Sequence, residues 1–154
     1  DLNIFIQGVQ GNQIFNATKM DLEGMFDSKN QSTNILDRWQ QPGDITDIPK
    51  ANAAGDGNLD NIHNSTRFVE DGSFLRIKSL TLAYNFPTTW LQKVKMQNLS
   101  IYATAQNLLT FTKYSGFDPE VNAYGVNSLG TEFGVDYGTY PQTRQMVFGL
   151  NVTF

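Results

Sequence analysis

Phe148-Gly149-Leu150-Asn151-Val152-Thr153-Phe154 ends the sequence on an aromatic residue, with apolar side chains alternating with small or polar ones up to the carboxylate. In a strand, successive side chains point to opposite faces. Met146, Phe148, Leu150, Val152 and Phe154 therefore share one face, and Gly149, Asn151 and Thr153 share the other. Soluble domains commonly end in frayed, polar residues. A closing strand of an outer-membrane barrel needs the pattern seen here, apolar groups toward lipid and small polar groups toward a wet lumen. A terminal Phe is also the mark by which bacterial barrel-assembly machinery is generally taken to recognise its clients. An edge strand of a soluble sandwich shares the period, so the rest of the chain has to decide.

Three further stretches carry the same alternation. Leu2, Ile4 and Ile6 oppose Asn3, Phe5, Gln7 and Val9 in a strand over about 2–10. Leu80, Leu82, Tyr84 and Phe86 oppose Ser79, Thr81, Ala83 and Asn85 in a strand over about 73–86, which Pro87 ends. Leu99, Ile101, Ala103 and Ala105 oppose Ser100, Tyr102, Thr104 and Gln106 in a strand over about 98–109, and the closing strand covers about 141–154. Long loops fill about 11–65 and 110–140. The first is expected to carry two short helices, near 15–26 and near 35–40, the second with Asn34 as N-cap, Asp37 favouring the helix dipole and Pro42-Gly43 as the stop. Antiparallel neighbours then put both long loops at one end, and the shorter connection with Phe154 at the other. Long external loops and short periplasmic turns are the asymmetry of transmembrane barrels. Tyr84, Phe86, Trp90 and Phe154 would join the periplasmic aromatic girdle. Such a barrel needs about eight strands or more, so four would be the end of a larger wall.

Composition agrees and excludes several classes. The chain has 154 residues, one histidine, no cysteine and a formal charge of −4. An acidic chain lacks the basic stripe that nucleic acid requires. Without cysteine there is no disulfide framework, thiolate metal site or cysteine nucleophile. No run approaches the ~18 apolar residues of a membrane-crossing helix. A mean hydropathy of −0.36 does not argue against a barrel, whose strands meet lipid at every second residue only. The sequence shows neither initiator Met nor signal peptide and opens directly into a strand, so an internal start is expected.

Three strings carry a closer likeness: Phe74-Leu75-Arg76-Ile77-Lys78-Ser79-Leu80-Thr81-Leu82-Ala83-Tyr84-Asn85-Phe86-Pro87, the run from Ile101 through Gln106-Asn107-Leu108-Leu109-Thr110-Phe111-Thr112-Lys113-Tyr114-Ser115-Gly116-Phe117-Asp118-Pro119-Glu120, and Tyr140-Pro141 leading into the closing strand. Together with Asp37-Arg38-Trp39-Gln40-Gln41-Pro42-Gly43-Asp44 and Thr46-Asp47-Ile48-Pro49, they resemble the C-terminal end of the SusC/RagA family of TonB-dependent outer-membrane transporters. The resemblance implies an all-β fold, an antiparallel transmembrane β-barrel segment forming the last four strands of a large plugged barrel, of about 22 strands, with two long extracellular loops. It implies import of oligosaccharide or peptide across the outer membrane of a Gram-negative bacterium, energised through the TonB system. The implied partners are the remaining barrel and plug, a SusD-like surface lipoprotein acting as lid, and the lipid bilayer. No cofactor is implied. The alternative is a soluble β-domain that binds glycan or peptide through loop aromatics.

Candidate sites follow. Leu80, Leu82, Tyr84, Phe86, Phe148, Leu150, Val152 and Phe154 are expected to face the membrane, the last as assembly signal. Trp39, Asp118, Glu120, Tyr124 and Tyr137 are candidate contacts for substrate or lid, since exposed rings stack on sugars or grip side chains and Tyr is enriched at interfaces. Loop architecture competes with that role: Pro119 stiffens the chain and Asp118 caps a turn. Asp56-Gly57-Asn58-Leu59-Asp60 lacks the glycine and glutamate of a calcium loop and is read as a turn. His63 has no second histidine or cysteine to complete a zinc site and is read as solvated. Arg67, Arg76, Lys78 and Lys113 near strand ends are read as solvated charge, with anionic lipid or acidic loops as alternative partners. No catalytic or metal site is expected, and the protein is not read as an enzyme.

Overall fold

The structure is a computed structural model that describes residues 1–26, 28–52, 60–121 and 134–154. It is all-β with short helices. Its chain divides into two compact units, Asp1–Gln10 with Ser73–Lys113 and Pro141–Phe154, and Gly11–Gly72 with Tyr114–Tyr140. Among the described residues no helix is long and apolar enough to cross a membrane.

The first unit is one antiparallel sheet. Its strands are β1 (Leu2–Val9), β4 (Phe74–Asn85), β5 (Asn98–Thr112) and β7 (Gln145–Thr153), in the order β1-β4-β5-β7. Register fixes the faces. Leu2 pairs with Leu82 and Ile4 with Leu80; Leu82 pairs onward with Ala103, which pairs with Phe148, and Ile101 with Leu150. Cross-strand partners share a face, so the apolar set is continuous across all four strands. Ser79, Thr81, Thr104 and Asn151 lie on the opposite face, where the Thr81 and Thr104 hydroxyls meet at 3.0 Å. Val9, Phe74 and Thr112 lie at one end of the sheet, and Asn85, Asn98 and Thr153 at the other. The short connection from β4 to β5 carries helix α2 (Thr88–Leu91).

Two irregularities lie at one level. Phe5 and Ile6, adjacent on β1, pair with Ser79 and Ile77, so Lys78 is an extra residue. On β5, Gln106 pairs with Ser79 and Leu109 with Ile77, so two residues, Asn107 and Leu108, stand opposite Lys78. Asn107 takes a left-handed φ of 50°, tolerated by its short polar side chain, whose Nδ2 donates to Thr143 O at 3.0 Å. The bulge keeps Leu75 and Ile77 on the same face as Leu80 and Leu82 although their spacing is odd. It also turns Arg76 to the other face, where it is 2% exposed and its Nε donates to Thr110 Oγ1 at 2.8 Å. Arg76 is therefore not the solvated charge expected from sequence.

On the polar face Tyr102 pairs with Gly149. A Cβ at Gly149 would overlap the Tyr102 ring, so the glycine is a seat for the ring. Gly149→Ala is expected to cost about 1–3 kcal/mol through overpacking, and Tyr102→Ser in the same chain to relieve most of it. A double-mutant cycle on denaturant midpoints measures that coupling.

Strand bounds differ modestly from the expected ones. β5 continues to Thr112 because Leu109 and Phe111 find Ile77 and Leu75. β7 starts at Gln145, where pairing to Gln106 begins.

The second unit contains a sheet that sequence reading missed. Strands β2 (Gln13–Asn16), β3 (Val69–Asp71) and β6 (Val135–Asp136) lie in the order β3-β2-β6, with β2 antiparallel to β3 and parallel to β6. Ile14 and Phe68 are fully buried, and Phe15 meets Phe68 edge-on at 6.3 Å. The helix expected near 15–26 is thus shorter. Its first residues are taken by β2, and α1 covers Ala17–Glu23, capped by Asn16 Oδ1 accepting the Lys19 N–H at 2.8 Å. The helix expected near 35–40 is a 3-10 turn over Thr33–Asp37, capped by Ser32 rather than Asn34. It stops because Arg38 is extended and the Trp39 N–H donates to Ile48 O at 2.9 Å.

Charge is divided between the units. The first holds Arg76, Lys78, Lys93, Lys95, Lys113 and Arg144 against a single acid, Asp1; the other Asp and Glu residues of the chain all belong to the second. Within the four strands of the first sheet, Arg76 and Lys78 are the only charged residues.

Candidate functional site

The apolar sheet face is exposed. Leu82 is 61% exposed, Tyr84 50%, Phe148 77%, Leu150 62%, Val152 37% and Phe154 77%; Leu80 and Phe86 are half-buried. No second layer of described residues covers it. An apolar patch of this extent marks contact with another protein or with lipid. Tyr84 and Phe86 meet edge-on at 5.0 Å near one end.

The second unit is built around buried and half-buried carboxylates. Glu70 Oε1 accepts from Lys19 Nζ at 3.1 Å and Ser115 Oγ at 2.8 Å, and its Oε2 accepts the Ser115 N–H at 2.9 Å. Burial raises the Glu70 carboxyl, but these donors together outweigh burial and hold it below its ordinary 4.5. A carboxyl depressed on folding stabilises the fold above its unfolded value, and that stabilisation is lost as pH falls through the folded value. The protection factor of the Ser115 amide, its exchange rate taken against the unprotected rate at the same pH, is expected to fall on acidification below 4.5, and Glu70→Gln to abolish that fall.

Tyr114 donates to Asp136 Oδ2 at 2.6 Å, and Asp136 Oδ1 accepts the Thr139 N–H at 3.1 Å. Burial, then Asp136, keep the phenol protonated far above its usual range. Glu23, 2% exposed, accepts from Asn34 Nδ2 at 2.9 Å and Arg67 at 3.0 Å. Arg67 is thus paired with the last residue of α1 and is not simply solvated.

The expected contact residues are dispersed within this unit. Trp39 is half-buried and lines a hollow of about 520 Å³ with Ile48, Arg67 and Phe68. Asp118 is 4% exposed and its Oδ1 accepts the Glu120 N–H at 2.9 Å, closing a turn; Glu120 is half-buried. Tyr137 is 54% and Tyr140 82% exposed. Tyr124, and Asp56 to Leu59 of the expected turn, lie outside the described residues. His63 is exposed. An open groove of about 1230 Å³ is lined by Lys19, Asp37, Arg38, Asp47 and Arg67 with Leu36 and Ile45, the last wholly exposed. Such a lining offers both signs of charge and two apolar knobs to a polar ligand. Sequence reading missed Glu23, Glu70 and Asp136 because their partners lie far along the chain.

No protein-family model matches the chain. Curated relatives do. TonB-dependent receptor P3 of Formosa agariphila is 36% identical across the whole chain, which spans 15% of that receptor. SusC of Bacteroides thetaiotaomicron, a TonB-dependent receptor, is 35% identical over 58% of the chain and 8% of its own length. The solved RagAB peptide transporter superposes on 99% of the chain and 16% of its own chain, at a TM-score of 0.76 and 27% identity. Its "open-open" state, described as a peptide importer, gives 0.73 and 26%. Along its whole length the chain is similar to TonB-dependent receptors, in sequence and in fold. Within them the chain is SusC/RagA-like.

Proposed function

We propose that the four-stranded sheet is wall of an outer-membrane β-barrel, its apolar face against lipid, in a receptor that imports a nutrient oligomer. The observation that carries this reading is the bare face, with Phe148 77% and Leu150 62% exposed, on a chain similar throughout to TonB-dependent receptors. Strands in such barrels alternate apolar-out and polar-in. The longer connections are then external, and the β4–β5 connection periplasmic. The oligomer is an oligosaccharide or peptide, taken up with a SusD-like lipoprotein and driven through TonB. Trp39, Tyr137 and Glu120 are the proposed contacts to substrate or lid, with Asp118 holding Glu120 in its turn; Tyr124 belongs to the same proposal. The segment's role is steric, and it supplies no bond chemistry.

The test is genetic and biochemical. A strain lacking the receptor should fail to grow on its oligomer and regain growth with the receptor gene. The receptor should leave the membrane fraction only with detergent. Monodisperse, detergent-free receptor would overturn the wall reading, and unchanged growth on every oligosaccharide and peptide tried would overturn the import reading.

A further inference from the structure

We propose that the apolar sheet face seats one anionic glycerophospholipid, with an acyl chain in the trough over Ala103 and the phosphate at Lys93 and Lys95. This rests on the outward orientation of the face proposed above. The trough follows from register. Ala103 lies between Leu82 on β4 and Phe148 on β7, and Ala105 lies between Leu80 and Met146. Large side chains stand on both sides of a small one in two successive rows, so a channel runs along β5. Ile101, between Tyr84 and Leu150, lines the hollow on its Asn98 side. The hollow measures about 500 Å³, lined by Leu82, Tyr84, Ile101, Ala103, Phe148 and Leu150.

Charge gives the lipid its sign. β5 and β7 carry no charged residue. Beyond Asn98, the first charges are Lys95 and Lys93, both exposed. The connection that bears them, Phe86 to Gln97, contains no Asp or Glu. Trp90 on the same connection is 60% exposed, and Trp favours the headgroup boundary. Depth also agrees. Ala103 lies ~17 Å from Asn98 along β5 at ~3.4 Å per residue. With barrel strands tilted by roughly 45°, that is ~12 Å of depth, inside the ~15 Å of hydrocarbon that one leaflet supplies. A chain whose phosphate sits at the two lysines therefore reaches the trough. A zwitterionic headgroup offsets the phosphate with its own cation, and an anionic one does not. Each lysine near the surface favours an anionic lipid about fivefold.

The full-length receptor tests this, with Phe148→Trp as a reporter at the trough rim and the parent receptor's signal subtracted. It is reconstituted in phosphatidylcholine vesicles containing a minor share of phosphatidylglycerol, with either the phosphatidylglycerol or an equal share of the phosphatidylcholine brominated on its chains. Brominated phosphatidylglycerol is expected to reach half-maximal quenching of the reporter at a share about 25-fold lower than brominated phosphatidylcholine, about fivefold for each lysine. Lys93→Ser with Lys95→Ser should bring the two lipids to parity, and Ala103→Phe, which fills the trough, should lower quenching by phosphatidylglycerol. Native mass spectrometry of the parent receptor, which lacks the reporter, should show the same lipid preference. Equal quenching by both lipids, or a preference that survives the paired lysine exchange, overturns the proposal and leaves the outward face standing. No quenching by either lipid overturns the outward face and the proposal together.

Discussion

Phe148→Arg is expected to destabilise the folded receptor by about 2–4 kcal/mol, the cost of a cation on the lipid side of a barrel near mid-depth. Val147→Arg, one residue away, is expected to cost far less. The two positions look equivalent by hydrophobicity, and register separates them. Phe148 pairs with Ala103 on the apolar face, whereas Val147 pairs with Thr104 on the polar one. A cation on the polar face can stay in water. Urea unfolding from lipid vesicles, followed by tryptophan fluorescence, measures both. Equal costs would mean that the sheet does not divide lipid from water.

Arg67→Met is the second large effect, expected to cost the second unit about 3 kcal/mol, the lower end for breaking a buried ion pair by deleting one partner. The Glu23 side chain is 3% exposed and the Arg67 side chain 24%. Removing Arg67 leaves a buried carboxylate held by Asn34 alone among the hydrogen bonds described above. Removing the acid as well, in Glu23→Leu with Arg67→Met, should recover much of the loss, since replacing both members of such a pair with apolar groups is often near neutral. Hydrogen exchange of the α1 amides reads the local stability, and a single exchange as costly as the pair would contradict the argument.

What sequence could reveal divides along the same line as the two units. The first sheet was legible because alternation is local: Leu80, Leu82 and Tyr84, or Phe148, Leu150 and Val152, declare a face without knowledge of any partner. Alternation failed at one place. Extended backward from Leu80 it would put Lys78, Arg76 and Phe74 with the apolar set. The bulge puts Ile77 and Leu75 there instead, and Arg76 is buried on the other side. The second unit was hardly legible. Val135-Asp136 and Val69-Glu70-Asp71 are too short to show a period, and they become strands only because distant Phe15 lies beside both. Glu70 and Asp136 gain their meaning from Ser115 and Tyr114, contacts that no local pattern encodes. The turn role of Asp118 was readable because the Asp-Pro-Glu string carries its own geometry.

The row of extra residues at Lys78 and at Asn107–Leu108 has a consequence for closure. A ribbon of straight strands stays too flat to come round on itself, and inserted residues sharpen local twist and bend the strand that carries them. Curvature at this level is thus set by backbone count, not by the size of any side chain. In the barrel proposed above, neighbouring positions are then at liberty to drift in identity while the arc keeps its radius.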